Sequence, residues 1–203
     1  MRLFILTRHA HTILNVERRI NGDPAVQVPL TEEGREAAAR LGHQLAALAI
    51  DLCVHTRFGR TQETAELILA GRLVPTIVEP LLDDIDVGDL EGDSIDAYRA
   101  WKGAHARGDR FPGGESLDGA ARRYASAFRR LLERDETVTL VVCHEIPIRY
   151  ALNAAAGSAD LDAPEHSIPN ATLYLFDDES LLCAADGIEQ DAGTARRMDP
   201  TER

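Results

Sequence analysis

Val138-Thr139-Leu140-Val141-Val142-Cys143 is an uncharged, largely β-branched run with no polar alternation. Such a run reads as a strand covered on both faces, which places it in the middle of a parallel sheet. Residues 3 to 7 read the same way, Ile50 to Val54 is a shorter apolar run, and Val74 to Val78 forms a fourth, ended by Pro80. Helical patterns lie between them. Thr31 is placed as an N-cap before Ala38, Leu41, Leu45 and Leu48, and Ser116 before Leu117, Ala121, Tyr124, Phe128 and Leu131. Thr61 to Leu69 and residues 94 to 107 complete the helical set, and Pro147 suits the first turn of a helix after Cys143. Strands alternating with helices predict an α/β domain with a mostly parallel sheet. Thr172 to Phe176 and Leu181 to Ala184 are expected to close it as a hairpin. Residues 1 to 186 then make one domain, and the polar residues 187 to 203 a flexible tail.

Composition narrows the function. A net charge of -12 and a pI near 5.0 disfavour nucleic acid, whose phosphates are bound through basic surfaces. A mean hydropathy of -0.21 and the lack of a long apolar stretch disfavour a membrane partner. The N-terminal run reads as a first strand rather than a signal peptide. Cys53, Cys143 and Cys183 are odd in number and form no CxxC, which suits reduced thiols in a cytoplasmic protein.

In parallel sheets, ligands gather beyond the carboxyl ends of the strands. Arg8-His9 follows the first strand and His144 the Val138 strand. Three chemistries compete for them. His9-Ala10-His11 could be a metal pair, but Arg8 would repel a cation and no downstream HxxxH or HxxE cluster supplies further ligands. Cys143 to Arg149 has the C-x5-R spacing of cysteine-dependent phosphatases. That cradle needs successive backbone N–H groups, and here Pro147 lacks one, no glycine is present and Glu145 adds negative charge. The third reading is phosphate chemistry on His9. It needs a neutral imidazole, arginines for the phosphoryl oxygens and a carboxylic acid for the leaving group. Arg60, the run Asp83-Asp84-Ile85-Asp86 and His144 are candidates.

The order of these pieces resembles the histidine phosphatase superfamily, the phosphoglycerate mutase-like fold. Leu6-Thr7-Arg8-His9-Ala10-His11-Thr12 resembles its opening Arg-His-Gly motif, with alanine for glycine, and Asn15 stands at its usual asparagine. Leu30-Thr31-Glu32-Glu33-Gly34, the segment His55 to Ala65 carrying Arg60, Leu82 to Gly92 carrying Asp84, Phe111-Pro112-Gly113-Gly114-Glu115-Ser116, and Val141-Val142-Cys143-His144 follow in the family's order. The resemblance implies a three-layer α/β/α sandwich with residues 93 to 115 as a cap-like insertion. It implies a phosphomonoester hydrolase with His9 as nucleophile, Arg8, Arg60 and His144 around the phosphate and Asp84 as acid. No metal or organic cofactor is implied. The partner is a small phosphorylated substrate, held also by Asn15, His11 and Glu145. Asp84 stands where glutamate is common, and Glu145-Ile146 replace small residues. Tyr98, Arg99, Trp101, Lys102 and Arg110 are substrate contacts or cap packing. A mutase-type phosphotransferase and a non-catalytic phospholigand-binding protein stay open as alternatives, and so does a homodimer.

Overall fold

A computed structural model describes residues 1–158, 160–163 and 168–194. Its sheet has five strands: β1 (Leu3–Arg8), β2 (Leu52–His55), β3 (Thr76–Val78), β4 (Val138–Cys143) and β5 (Leu173–Phe176), in the order β3-β2-β4-β1-β5. All neighbours are parallel except β5, which runs antiparallel along β1. The uncharged run is therefore the central strand, paired with β1 on one side and β2 on the other. It is paired in ladders on both edges, and its side chains are free to be apolar on both faces.

Successive strand residues point to opposite faces. Ile5, Cys53, Leu140 and Val142 meet Ala38 and Leu41 of α2 (Glu32–Gln44) and Ala65 and Ile68 of α3 (Gly59–Ile68). Phe4, Leu6, Val54, Val141 and Cys143 meet α5 (Leu117–Leu132), α6 (Glu145–Ala155) and α7 (Asp178–Thr194). The result is the three-layer sandwich. The remaining helices are one turn after β1, α1 (Ile13–Val16), and α4 (Ile95–Ala104), which lies in the expected insertion.

The expected caps form: Thr31 Oγ1 accepts from Gly34 N–H at 3.0 Å and Ser116 Oγ from Gly119 N–H at 3.1 Å. Gly34 is required by contact. A Cβ there would lie 2.3 Å from the His11 carbonyl oxygen.

Two expectations fail at the C-terminus. Leu181 to Ala184 is not the second arm of a hairpin. It lies in α7, where Leu181, Ala184, Ala185, Ile188 and Ala192 are buried against the sheet side of the core. The helix also overturns the tail from residue 187. Its apolar positions recur at three- and four-residue spacing, which a search for short strands overlooks. Residues 195–203 lie outside the described residues. Among the described residues, no helix is long and apolar enough to cross a membrane.

Candidate active site

The carboxyl ends of β1, β2 and β4 lie side by side, because the sheet pairs Arg8 with Cys143 and His55 with Val142. The residues after each strand therefore converge. Arg8, His9, Arg60, Asp84, Glu145, Asn15 and Asn21 line a cleft of about 460 Å³, with His144 buried behind it.

His9 is 3% exposed. Its backbone is tied on both sides, N–H to the Cys143 carbonyl at 2.9 Å and C=O to Asn170 Nδ2 at 2.7 Å. Its Nδ1 lies 2.8 Å from the Ala10 carbonyl. A carbonyl only accepts, so Nδ1 carries the proton and Nε2 holds a lone pair. Burial, then the Arg60 and Arg8 charges, hold the imidazole well below its ordinary pKa of 6.5. The ring is neutral near pH 7, with a free nitrogen.

His144, fully buried at the start of α6, is assigned by a chain of donors. Its Nε2 lies 2.9 Å from Thr56 Oγ1, which lies 2.8 Å from Thr61 Oγ1, whose hydroxyl reaches the Phe58 carbonyl at 2.8 Å. Since that chain ends on an acceptor, each hydroxyl donates onward and His144 Nε2–H starts the series. Nδ1 then accepts from Arg60 Nη2 at 3.1 Å and stands 3.4 Å from Asp84 Oδ2. Burial, followed by the charges of Arg60 and others, lowers this imidazole too. The His9 and His144 ring centroids are 5.5 Å apart.

Arg60 is the hub. Its Nη2 donates to Asp84 Oδ2 at 3.0 Å and to the Asn21 carbonyl at 3.1 Å, its Nη1 donates to Asn21 Oδ1, and the guanidinium lies 4.1 Å over the Phe58 ring. Asp84 sits at the cleft rim. Desolvation raises its carboxyl above the ordinary 3.8, although Arg60 opposes this. The adjacent acids do other work: Asp83 is buried on Arg57, and Asp86 accepts from Gly88 N–H at 2.9 Å.

The glycine-rich turn 111–116 explains how Asp84 is held. Glu115 binds Arg123 Nε at 3.1 Å, and Arg123 donates to the carbonyls of Leu81, Asp83 and Asp84 at 3.0, 2.6 and 2.8 Å. Glu91 acts in the same way on the other side. It accepts from Asn21 Nδ2, Gly22 N–H and Asp23 N–H at 2.8, 2.6 and 3.1 Å. Asn21, Arg123 and Thr56 are the residues that the motifs did not single out. Asn21-Gly22-Asp23 reads only as a turn, and Arg123 as one more charge on an amphipathic helix.

Most expected site residues come together, and some separate. Asn15 lines the cleft, and its Oδ1 also caps α1 by accepting from Thr12 N–H at 3.0 Å. His11 is exposed and lies outside the cleft lining. Its carbonyl accepts from Thr31 N–H at 2.9 Å, which docks the start of α2. Tyr98, Arg99 and Lys102 line the cleft. Trp101 instead stacks between His105 and Phe111, at 4.1 and 4.0 Å, and Arg110 donates to the Gly114 carbonyl. Cys143 is buried on β4, and desolvation raises its thiol, so it is no nucleophile for C-x5-R chemistry. Among the described residues, no group of three or more His, Cys, Asp or Glu side chains is placed to hold a metal ion.

The family model for the histidine phosphatase superfamily (branch 1) matches residues 4–190. The chain belongs to this superfamily. Among curated relatives, it is 28% identical to the probable phosphoglycerate mutase GpmB of Cronobacter sakazakii, over 96% of this chain and 94% of the relative. Among solved structures of the fold, it resembles YhfR of Bacillus stearothermophilus (30% identity, TM-score 0.76, 87% of this chain and 91% of that one). It also resembles the alpha-ribazole phosphatase of Shigella flexneri (26% identity, TM-score 0.75, 86% and 90%).

Proposed function

We propose that this histidine phosphatase superfamily member hydrolyses small phosphomonoesters through a phosphohistidine on His9. The observation that carries the reading is the 2.8 Å approach of His9 Nδ1 to the Ala10 carbonyl: an acceptor there assigns the proton to Nδ1, so the in-line nucleophile is a neutral Nε2 in a cleft lined by Arg8 and Arg60. As the Nε2–P bond forms, the P–O bond to the alcohol breaks. Asp84, protonated, gives its proton to the leaving oxygen. Asp84 as carboxylate then takes a proton from water, which attacks phosphorus, breaks the Nε2–P bond and releases inorganic phosphate. Arg8 and Arg60 face the charge that develops on the phosphoryl oxygens, and His144 positions Arg60 by accepting from its Nη2. No step in this sequence calls on a metal or an organic cofactor.

Glu91 and Asp86 are two other acids near Asp84 in sequence. Glu91 is occupied by the Asn21–Asp23 backbone and side chain, and neither residue lines the cleft.

The test is phosphate release from p-nitrophenyl phosphate in excess EDTA. Wild type is expected to retain activity and His9→Ala to lose it, with a trapped phosphohistidine at residue 9. Turnover that disappears with EDTA, or persists in His9→Ala, would overturn the reading. The similarity to a probable phosphoglycerate mutase makes phosphoryl transfer the second reading. It predicts isomerisation without net phosphate release when a phosphoglycerate replaces p-nitrophenyl phosphate.

A further inference from the structure

Glu145 is the feature that the proposed chemistry does not explain. It stands on the first turn of α6, directly after His144, and lines the cleft. Its Oε2 is 2.7 Å from Arg8 Nη1, and its Oε1 meets Arg149 Nη2 one helical turn on. Two cleft-lining arginines therefore share one carboxylate. Among the described residues, Arg8 has one other hydrogen bond, Nη1 to the Ile168 carbonyl at 2.9 Å, and the buried Nε atoms of Arg8 and Arg149 meet no acceptor. A guanidinium with an unspent N–H still has capacity for another acceptor. A phosphoryl group arriving at Arg8 meets a negative charge already seated there.

We propose that Glu145 is an internal counter-anion that competes with phosphate for Arg8 and so sets the affinity of the site for phosphate, with Arg149 as the second anchor that lets the carboxylate step aside. This rests on the reading of Arg8 as a phosphate ligand. In the unliganded cleft, Glu145 neutralises Arg8. When phosphate arrives, Glu145 keeps its bond to Arg149 and gives up Oε2 to the outer cleft. After hydrolysis, its return to Arg8 displaces the inorganic phosphate.

The opposite role, Glu145 as a brace that orients Arg8 for phosphate, predicts effects of the opposite sign. The experiment is calorimetric titration of inorganic phosphate into the full chain at fixed ionic strength, for wild type, Glu145→Gln, Arg149→Leu and the double variant. Glu145→Gln is expected to tighten phosphate binding by about tenfold, the scale of one added charge a few ångström from an anion in a partly exposed site. Arg149→Leu frees Glu145 to sit on Arg8 alone, so it is expected to weaken binding. In the Glu145→Gln background, the same change is expected to do little.

Unchanged or weaker binding in Glu145→Gln overturns the proposal. Equal weakening by Arg149→Leu in both backgrounds makes Arg149 a direct phosphate ligand and also overturns it. Thermal melting checks that each variant folds, and Glu145→Ala replaces the glutamine variant if that one does not. Binding is read without turnover. A wild type that binds phosphate but hydrolyses nothing would defeat the proposed function while still deciding the role of Glu145.

Discussion

Glu91→Gln is the sharpest test of how the cleft is held together. Glu91 touches neither Arg60 nor any residue proposed to react. It accepts three hydrogen bonds from Asn21, Gly22 and Asp23, and Asn21 in turn accepts from both terminal nitrogens of Arg60. Asn21 cannot rotate its amide freely, because Oδ1 must face the Arg60 donors while Nδ2 faces Glu91. Glutamine at 91 offers one acceptor oxygen and one NH2 group. If the oxygen serves the Gly22 and Asp23 amides, the NH2 group meets Asn21 Nδ2. If it is turned round, the NH2 group meets the two amides. Either way a donor faces a donor. Losing a hydrogen bond to a charged acceptor costs about 1.5–3 kcal/mol, and about 2 kcal/mol is a fair value for this half-buried position. For a chain of this size the melting temperature should fall by about 4–8 °C. If the whole cost falls on the placement of Arg60 in the transition state, kcat/KM falls about thirtyfold. If half does, it falls about fivefold. The assay is steady-state hydrolysis of p-nitrophenyl phosphate beside calorimetric melting. A lower melting temperature with unchanged kcat/KM would show that the loop does not orient Arg60, and the reasoning would fail.

Two other outcomes follow from the same geometry. In the proposed mechanism His9 acts when neutral and Asp84 when protonated; the His9 pKa is pushed below 6.5, so activity is lost as pH falls through that lowered value. The Asp84 pKa is pushed above 3.8, so activity is lost as pH rises through that raised value. The pH profile of kcat/KM on an alkyl phosphate is thus expected to be bell-shaped, and Asp84→Asn to be much slower with no descending limb from this group; a descending limb that persists unchanged in the variant would remove Asp84 as the acid. Cys143→Ala should retain phosphate release, because the thiol is buried in the core and desolvation holds it protonated. Its cost is expected in stability, about 1 kcal/mol for a small buried group, read by urea unfolding. Abolished turnover in a folded Cys143→Ala protein would revive cysteine chemistry.

Much of the fold is local enough to be read along the chain. The runs at residues 3 to 7 and 138 to 143 carry their burial in their composition, and Thr31 and Ser116 announce their helices through short-range capping bonds. The five polar groups Arg8, His9, Arg60, Asp84 and His144 are also legible, because each lies at a strand end or within an ordered motif. The C-terminal helix was not. Leu181 to Ala184 is short and apolar in either conformation, and only packing of Ile188 and Ala192 one and two turns on decides for a helix.

What the chain alone determined is the order of most strands and helices, the acidic net charge, and the residue types that the proposed phosphoryl chemistry on a histidine needs. Those are properties of neighbours in sequence. The tertiary structure decided which of three nearby acids meets Arg60, that His11 docks a helix while His9 faces the cleft, and which nitrogen of each imidazole holds its proton. These depend on partners such as Ala10, Thr56, Asn21 and Arg123. Several of them lie tens of residues away, and only the parallel pairing of β1, β4 and β2 in one sheet brings them within hydrogen-bond reach of the site.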